Sequence, residues 1–170
     1  MDILPFDEAR NRLRADHELL LTRVADLTEA ELAAGYRPAS GPLGDFCDSL
    51  HDLVAHVLMW DEISLAVLTE ARAGRTHWSL DPRWETPEAG RRLNLAGVRA
   101  GRHLPGPLLL HRFRAVHDAI SREFGRFSED EEDGEPGWSG IGELVQRAWT
   151  VPGQPAFWHA AIHLNELAVL

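Results

Sequence analysis

Apolar residues in this chain recur at steps of three and four, and no run of β-branched residues alternates with polar ones over a strand's length. That periodicity predicts helices, because a helix returns to the same face every ~3.6 residues whereas a half-buried strand repeats every two. Four stretches carry it. The first, from about Asp7 to Leu27, aligns Leu13, His17, Leu20, Val24 and Leu27, with Arg10, Arg12, Arg14 and Glu18 mostly elsewhere. The second is capped by Asp48 or Ser49, runs to about Ala73 and stops at Gly74; its inner face is Leu50, Leu53, Val57, Trp60, Ser64 and Val67. The third starts at Pro105 and Pro107 and aligns Leu109, Phe113, Val116, Ile120, Phe124 and Phe127. The fourth, Phe157 to Leu170, contains no glycine or proline, and Pro155 just ahead of it suits a first helical turn.

Shorter elements fall between these. Thr28-Glu-Ala-Glu resembles a capping box and opens a short helix. Further helices are predicted from Pro87 to about Arg102 and from Trp138 to Trp149, the latter broken at Thr150-Val-Pro-Gly-Gln-Pro. Gly35, Pro38, Gly41, Pro42 and Gly44 make residues 35–47 a loop, and Ser128-Glu-Asp-Glu-Glu-Asp-Gly-Glu reads as a solvated linker. Residues 74–90 hold Trp78, Pro82, Trp84 and Pro87 without periodicity, a long excursion of the kind that usually carries function or motion. The expectation is one all-α domain over residues 1–170, a four-helix bundle with short accessory helices and that excursion between its second and third main helices.

Charge and composition narrow what such a bundle can do. All 17 basic residues are arginine, so Schiff-base and lysine-base chemistry is excluded. A net charge of −10 argues against nucleic acid and anionic membranes as partners. Cys47 stands alone, which rules out an internal disulfide and fits a reducing cytoplasm. The N-terminal residues lack a basic region followed by an apolar run, so no signal peptide is expected, and no stretch is apolar enough to span a bilayer. Six tryptophans against one tyrosine offer large rings to wall a pocket.

The chemistry-bearing residues are histidines. His159 and His163 stack on one helix face, about 40° out of line and roughly 6 Å apart along the axis. Such a pair can bind one divalent cation if another segment supplies a third ligand. His56 lies beside the inner face of the second helix, and His51 points roughly 140° away from it, so His56 is the better third donor. His17 reads as a core histidine with one hydrogen-bonded nitrogen, His117 abuts the third stripe, and His111 is solvated. Three neutral imidazoles suit zinc, nickel or another late divalent metal, and three protein ligands leave a coordination position for water or substrate. Glu166, Asp61 and Glu62 are candidates to orient the rings, the alternative for each being a solvated helix face.

The segment Ser49-Leu-His-Asp-Leu-Val-Ala-His-Val-Leu-Met-Trp-Asp-Glu resembles the second-helix signature of the DinB-like (YfiT-like) four-helix-bundle superfamily. The resemblance implies that His56 is a metal ligand. The terminal His159-Ala-Ala-Ile-His163 is similar to the last-helix His-x-x-x-His of that superfamily, and the tryptophan-bearing excursion followed by Leu93-Asn94 resembles its ClbS/DfsB branch. The chain departs from the pattern at Pro152-Gly153-Gln154-Pro155, which shortens the terminal helix at its start. The superfamily includes mycothiol- or bacillithiol-dependent S-transferases, a metal-dependent maleylpyruvate isomerase, and protective proteins that act on cyclopropane-bearing electrophiles.

The resulting expectation is a metal-dependent enzyme that adds water or a low-molecular-weight thiol such as mycothiol to a small electrophilic substrate, in detoxification or self-protection. His56, His159 and His163 would hold the metal; Trp60, Trp78, Trp84 and Trp158 would line an apolar pocket. Arg75 or Arg83 would receive the carboxylates of a thiol. The alternative is a non-catalytic cytoplasmic protein that sequesters an apolar small molecule, and a third expectation is a homodimeric structural module.

Overall fold

Helices begin where a side chain closes the first turn, and three of these starts are plain in the computed structural model, which describes residues 2–36, 45–128 and 137–167. Thr28 Oγ1 accepts from the Glu31 backbone N–H at 3.3 Å while Glu31 Oε2 accepts from the Thr28 N–H at 2.8 Å, the reciprocal pair of a capping box. Ser49 Oγ accepts from the Asp52 N–H, and Thr86 Oγ1 from the Ala89 N–H with Pro87 as the next residue. The helices are α1 (Phe6–Val24), α2 (Glu29–Ala33), α3 (Leu50–Arg72), α4 (Pro87–Gly101), α5 (Gly106–Phe124), α6 (Trp138–Ala148) and α7 (His159–Glu166). A 3-10 turn at Trp78–Leu80 interrupts the excursion. The described residues form no strand; Gly35 and Ser49 make an isolated bridge. The loop residues Pro38, Gly41, Pro42 and Gly44, the whole acidic run after Ser128, and the last three residues lie outside the described set.

Helix α3 is the axis of the molecule and packs against α2, α4, α5, α6 and α7. Every residue from Leu50 to Leu58 is buried, so the single stripe expected there widens to the whole circumference. Beyond Trp60 the burial narrows to Asp61, Ser64, Val67, Leu68 and Ala71, one face of a helix. Helix α4 reaches α3 through glycine: a Cβ on Gly101 would sit 2.2 Å from the Ala55 Cβ, and one on Gly97 would sit 2.7 Å from Met59. That contact brings the α4 backbone against the turn of α3 that carries His56.

A second core of aromatic rings lies at the other end. Phe124 meets Trp138, Trp149 and Phe157 at centroid separations of 5.9, 5.7 and 6.4 Å, and Phe6 packs on Trp138 at 5.5 Å. Gln146 and Trp138 tie the N-terminal segment to this cluster through hydrogen bonds to Leu4 and Asp2.

This aromatic core corrects the sequence expectation for the terminal helix. Phe157 is fully buried, stacks on Trp149 at 5.9 Å and donates its N–H to the Trp149 carbonyl at 2.8 Å. To do so it adopts φ +61°, which a helix cannot continue through. Helix α7 therefore starts at His159 rather than at Phe157, four residues past Pro155. At 8 residues it is shorter than the 15-residue α4 and the 11-residue α6, both expected to be accessory. Among the described residues, no helix is long and apolar enough to cross a membrane.

Candidate metal centre

Position 56 falls in the second turn of α3, and positions 159 and 163 occupy successive turns of α7. The packing of α7 on α3 brings their rings together. His56 Nε2 lies 3.0 Å from His159 Nε2 and 3.1 Å from His163 Nε2, and the donor atoms of the three residues lie within 4.8 Å of one another. The rings are steeply inclined, at interplanar angles of 76°, 70° and 61°, so their edges rather than their faces converge. Nitrogen ligands around a tetrahedral zinc stand roughly 3.3 Å apart; the two separations at His56 Nε2, 3.0 and 3.1 Å, are within a few tenths of an ångström of that spacing.

The donor chemistry fits a cation. His56 Nε2 faces two other nitrogens, and one ring N–H can satisfy only one of them; three lone pairs directed at a cation leave none in conflict. Burial, then the charges of the neighbouring imidazoles, pushes His56 and His159 well below the usual histidine range. Burial also lowers His163, against the opposing pull of the Glu166 carboxylate. All three rings are thus held in the neutral form that a metal ligand requires. Glu166 Oε2 lies 3.2 Å from His163 Nδ1 and accepts its N–H, leaving Nε2 as the lone-pair nitrogen.

The other residues singled out from the sequence are distributed differently. Asp61, five residues beyond His56, points to the opposite side of α3 and binds His17 Nε2 at 2.8 Å; both groups are buried. Glu62 lies on the outer face and pairs with Arg112 at 2.6 and 3.0 Å. Neither carboxylate orients a ring of the cluster, because helical steps of five and six residues carry them away from the face of His56. Trp60 is half-buried, its indole N–H donating to Asn94 Oδ1 at 2.7 Å. Trp78 and Trp84 are 50% and 45% exposed and form an edge-to-face pair with each other; Arg147 of α6 holds their excursion by donating to the Glu85 carboxylate and the Leu80 carbonyl. They form a surface pair where a pocket wall was expected. Trp158 is partly buried at the N-cap of α7. Arg75 pairs with Glu70, and Arg83 with Asp81 at 2.9 and 3.0 Å, each within its own stretch of chain. His51 is buried against the Leu104 carbonyl at 2.9 Å, His117 meets His17 edge to face at 4.3 Å, and His111 is exposed.

Two residues at the site escaped the sequence reading. Phe46 packs on His56 at 4.7 Å and on His163 at 6.2 Å, covering the rings from the segment before α3. It also lines a cleft toward α4, beside Val98, Arg99 and Arg102. Nothing in the loop around it distinguishes it. Asp16 accepts from the backbone N–H groups of Ala160 and Ala161 at 2.9 and 2.8 Å. A signal for Asp16 existed: it follows Leu13 by three and precedes Leu20 by four, which puts an acid on the apolar face of α1.

Fold and site together define an all-helical protein with a buried three-histidine cluster able to hold a metal ion. No family model matches the chain, and no curated protein or solved structure does so either.

Proposed function

We propose that this chain is a metal-dependent enzyme that adds water or a low-molecular-weight thiol to a small electrophilic substrate, with zinc or nickel held by His56, His159 and His163. The observation that carries the reading is the convergence of three Nε2 atoms inside the molecule, two of them 3.0 and 3.1 Å from the third. Structural zinc sites close with four protein ligands, and catalytic sites keep three. Among the described residues, no fourth histidine, cysteine or carboxylate joins this group. A cation bound there supplies Lewis acidity at a position the protein leaves to solvent or substrate.

The remaining work belongs to the chain. Glu166 holds His163 in one tautomer and one orientation. Phe46 shields the edge of the cluster and forms the wall it shares with the cleft, so a substrate entering past Arg99 and Arg102 would meet that ring first. Trp60, through Asn94, ties α4 to α3 one turn past His56. The order of the helices and the positions of the three histidines support a DinB-like four-helix bundle. The tryptophan-bearing excursion followed by Leu93-Asn94 supports its ClbS/DfsB branch, in which protection against a reactive electrophile is the expected role.

Metal analysis of protein prepared without a polyhistidine tag tests this directly. Near-stoichiometric zinc or nickel, lost in a His56→Ala variant that keeps its helical content, is the expected result. A folded protein that takes up no divalent metal and still binds apolar ligands would overturn it in favour of sequestration.

A further inference from the structure

Asp16 and His17 are consecutive on α1, yet their side chains engage two different helices. Consecutive helical residues point about 100° apart, which lets one segment reach both neighbours. The Asp16 carboxylate takes the N–H groups of Ala160 and Ala161 in the first turn of α7, and His17 Nε2 donates to Asp61 of α3 at 2.8 Å. Asp16 and His17 are only 2% and 1% exposed, and Asp61 2%. Helix α7 carries His159 and His163; α3 carries His56 upstream of Asp61.

We propose that Asp16 and His17 are positioning residues that clamp the two ligand-bearing helices at the separation the metal requires. The inference rests on the metal-binding reading above. Helix α7 needs such help. Helices shorter than about 12 residues are marginal alone, and α7 has 8 with no side-chain cap from its own N-cap residue, Trp158. Ala160 and Ala161 stand at the second and third helical positions, where an N-cap side chain would normally accept. Asp16 supplies both acceptors from another helix, and thereby fixes where the first turn, with His159 in it, can sit. Through its neighbour His17, the same segment of α1 is anchored to α3. A shift of α7 along or around its axis would have to break the Asp16 bonds before it could separate His159 from His56.

The test is zinc affinity, measured on the full chain by competition with a chromophoric chelator, with cobalt(II) absorption reporting coordination and far-UV circular dichroism reporting helicity. Asp16→Ala is expected to weaken zinc by about 10- to 100-fold, as loss of a group that orients metal ligands does, with a changed cobalt spectrum. Asp16→Asn, which keeps one acceptor, recovers part of that loss. Asp61→Ala weakens zinc similarly, and Asp61→Asn, which still accepts from His17, restores most of it. Leu13→Ala is the control: it truncates the buried face of the same helix in the aromatic core, touches neither clamp bond, and leaves affinity within about twofold. If Asp16→Ala does not fold, Asp16→Asn carries the comparison at an expected loss of up to about tenfold. Wild-type affinity in the Asp16 variants, or an equal loss in Leu13→Ala, overturns the clamp while the metal reading stands. A wild-type protein that takes up no zinc removes the metal reading and the clamp with it.

Discussion

Glu166 presents its Oε2 3.2 Å from His163 Nδ1, from the next turn of the same short helix. The geometry chooses the tautomer: with Nδ1–H directed at the carboxylate, the Nε2 lone pair faces His56. Removing the carboxylate frees the ring to rotate and to exchange its proton between nitrogens. Glu166→Ala is therefore expected to lower zinc affinity by about 10- to 100-fold, and Glu166→Gln by less, because it keeps an acceptor. Chelator competition measures both. Affinities equal to wild type would show that the contact is incidental.

The approach of α4 to α3 leaves no room for a methyl group at Gly101, since its Cβ would stand 2.2 Å from that of Ala55. Gly101→Ala must push α4 away from the turn bearing His56, at a cost of about 1–3 kcal/mol for overpacking. Gly97→Ala is expected to cost less, because the atoms it meets belong to the flexible Met59 side chain. Urea unfolding of the two variants should rank them in that order; a neutral Gly101→Ala would contradict the close contact.

Acid should destabilise the metal-free protein. His56, His159 and His163 are held neutral and below the ordinary value of 6.5, whereas the unfolded chain protonates them normally. The unfolded state then binds more protons, so the stability these rings contribute is present above about pH 6.5 and drains away as pH falls through it. Each ring contributes up to about 1.4 kcal/mol per pH unit in that range. Asp16 opposes them. Burial, against the bonds from Ala161 and Ala160, pushes its carboxyl up to about 6, so its contribution is present at low pH and lost as pH rises through that value. His17 also opposes them, but in a higher range: burial lowers it, yet the charge and hydrogen bond of Asp61 leave it raised, so its share is lost only above the usual histidine value. Three rings outweigh one carboxyl, and urea midpoints should fall between about pH 7 and pH 5, with a shallower slope in His56→Ala. A midpoint that rises on acidification would contradict the burial of neutral imidazoles.

The exposed tryptophan pair sets a negative expectation. Trp78 is half exposed and rests chiefly on His77 and Trp84. Trp78→Ala should change stability by about 0.5 kcal/mol or less, as surface substitutions do, and leave bound zinc unchanged. Loss of metal or of a large share of stability would place that ring in the site after all.

How much of this was legible in the chain depends on the range of the interaction. The capping box at Thr28 and the starts of α4 and α6 are written within a few residues, and the structure places them as read; of the two caps open to α3, Asp48 and Ser49, it uses Ser49. The stacking of His159 over His163 follows from helical spacing alone. Asp61 illustrates the opposite case. Its neighbourhood to His56 in the sequence suggested a role beside that ring, and its partner is instead His17, 44 residues away. The exposed placement of Trp78 and Trp84 was equally hidden, because a ring that could wall a pocket and one that rests on the surface have the same local sequence.

By itself, then, the order of residues determined where helices form, which faces are apolar, and that two imidazoles share one face, because helical periodicity and capping are local. Only the tertiary structure decided that His56 meets them across 103 and 107 positions, that Asp16 caps a helix other than its own, and that Phe157 delays the start of the terminal helix. Those outcomes come from packing between separate elements: an aromatic core that outcompetes helix propensity at Phe157, and glycine contacts that set how closely α4 approaches α3.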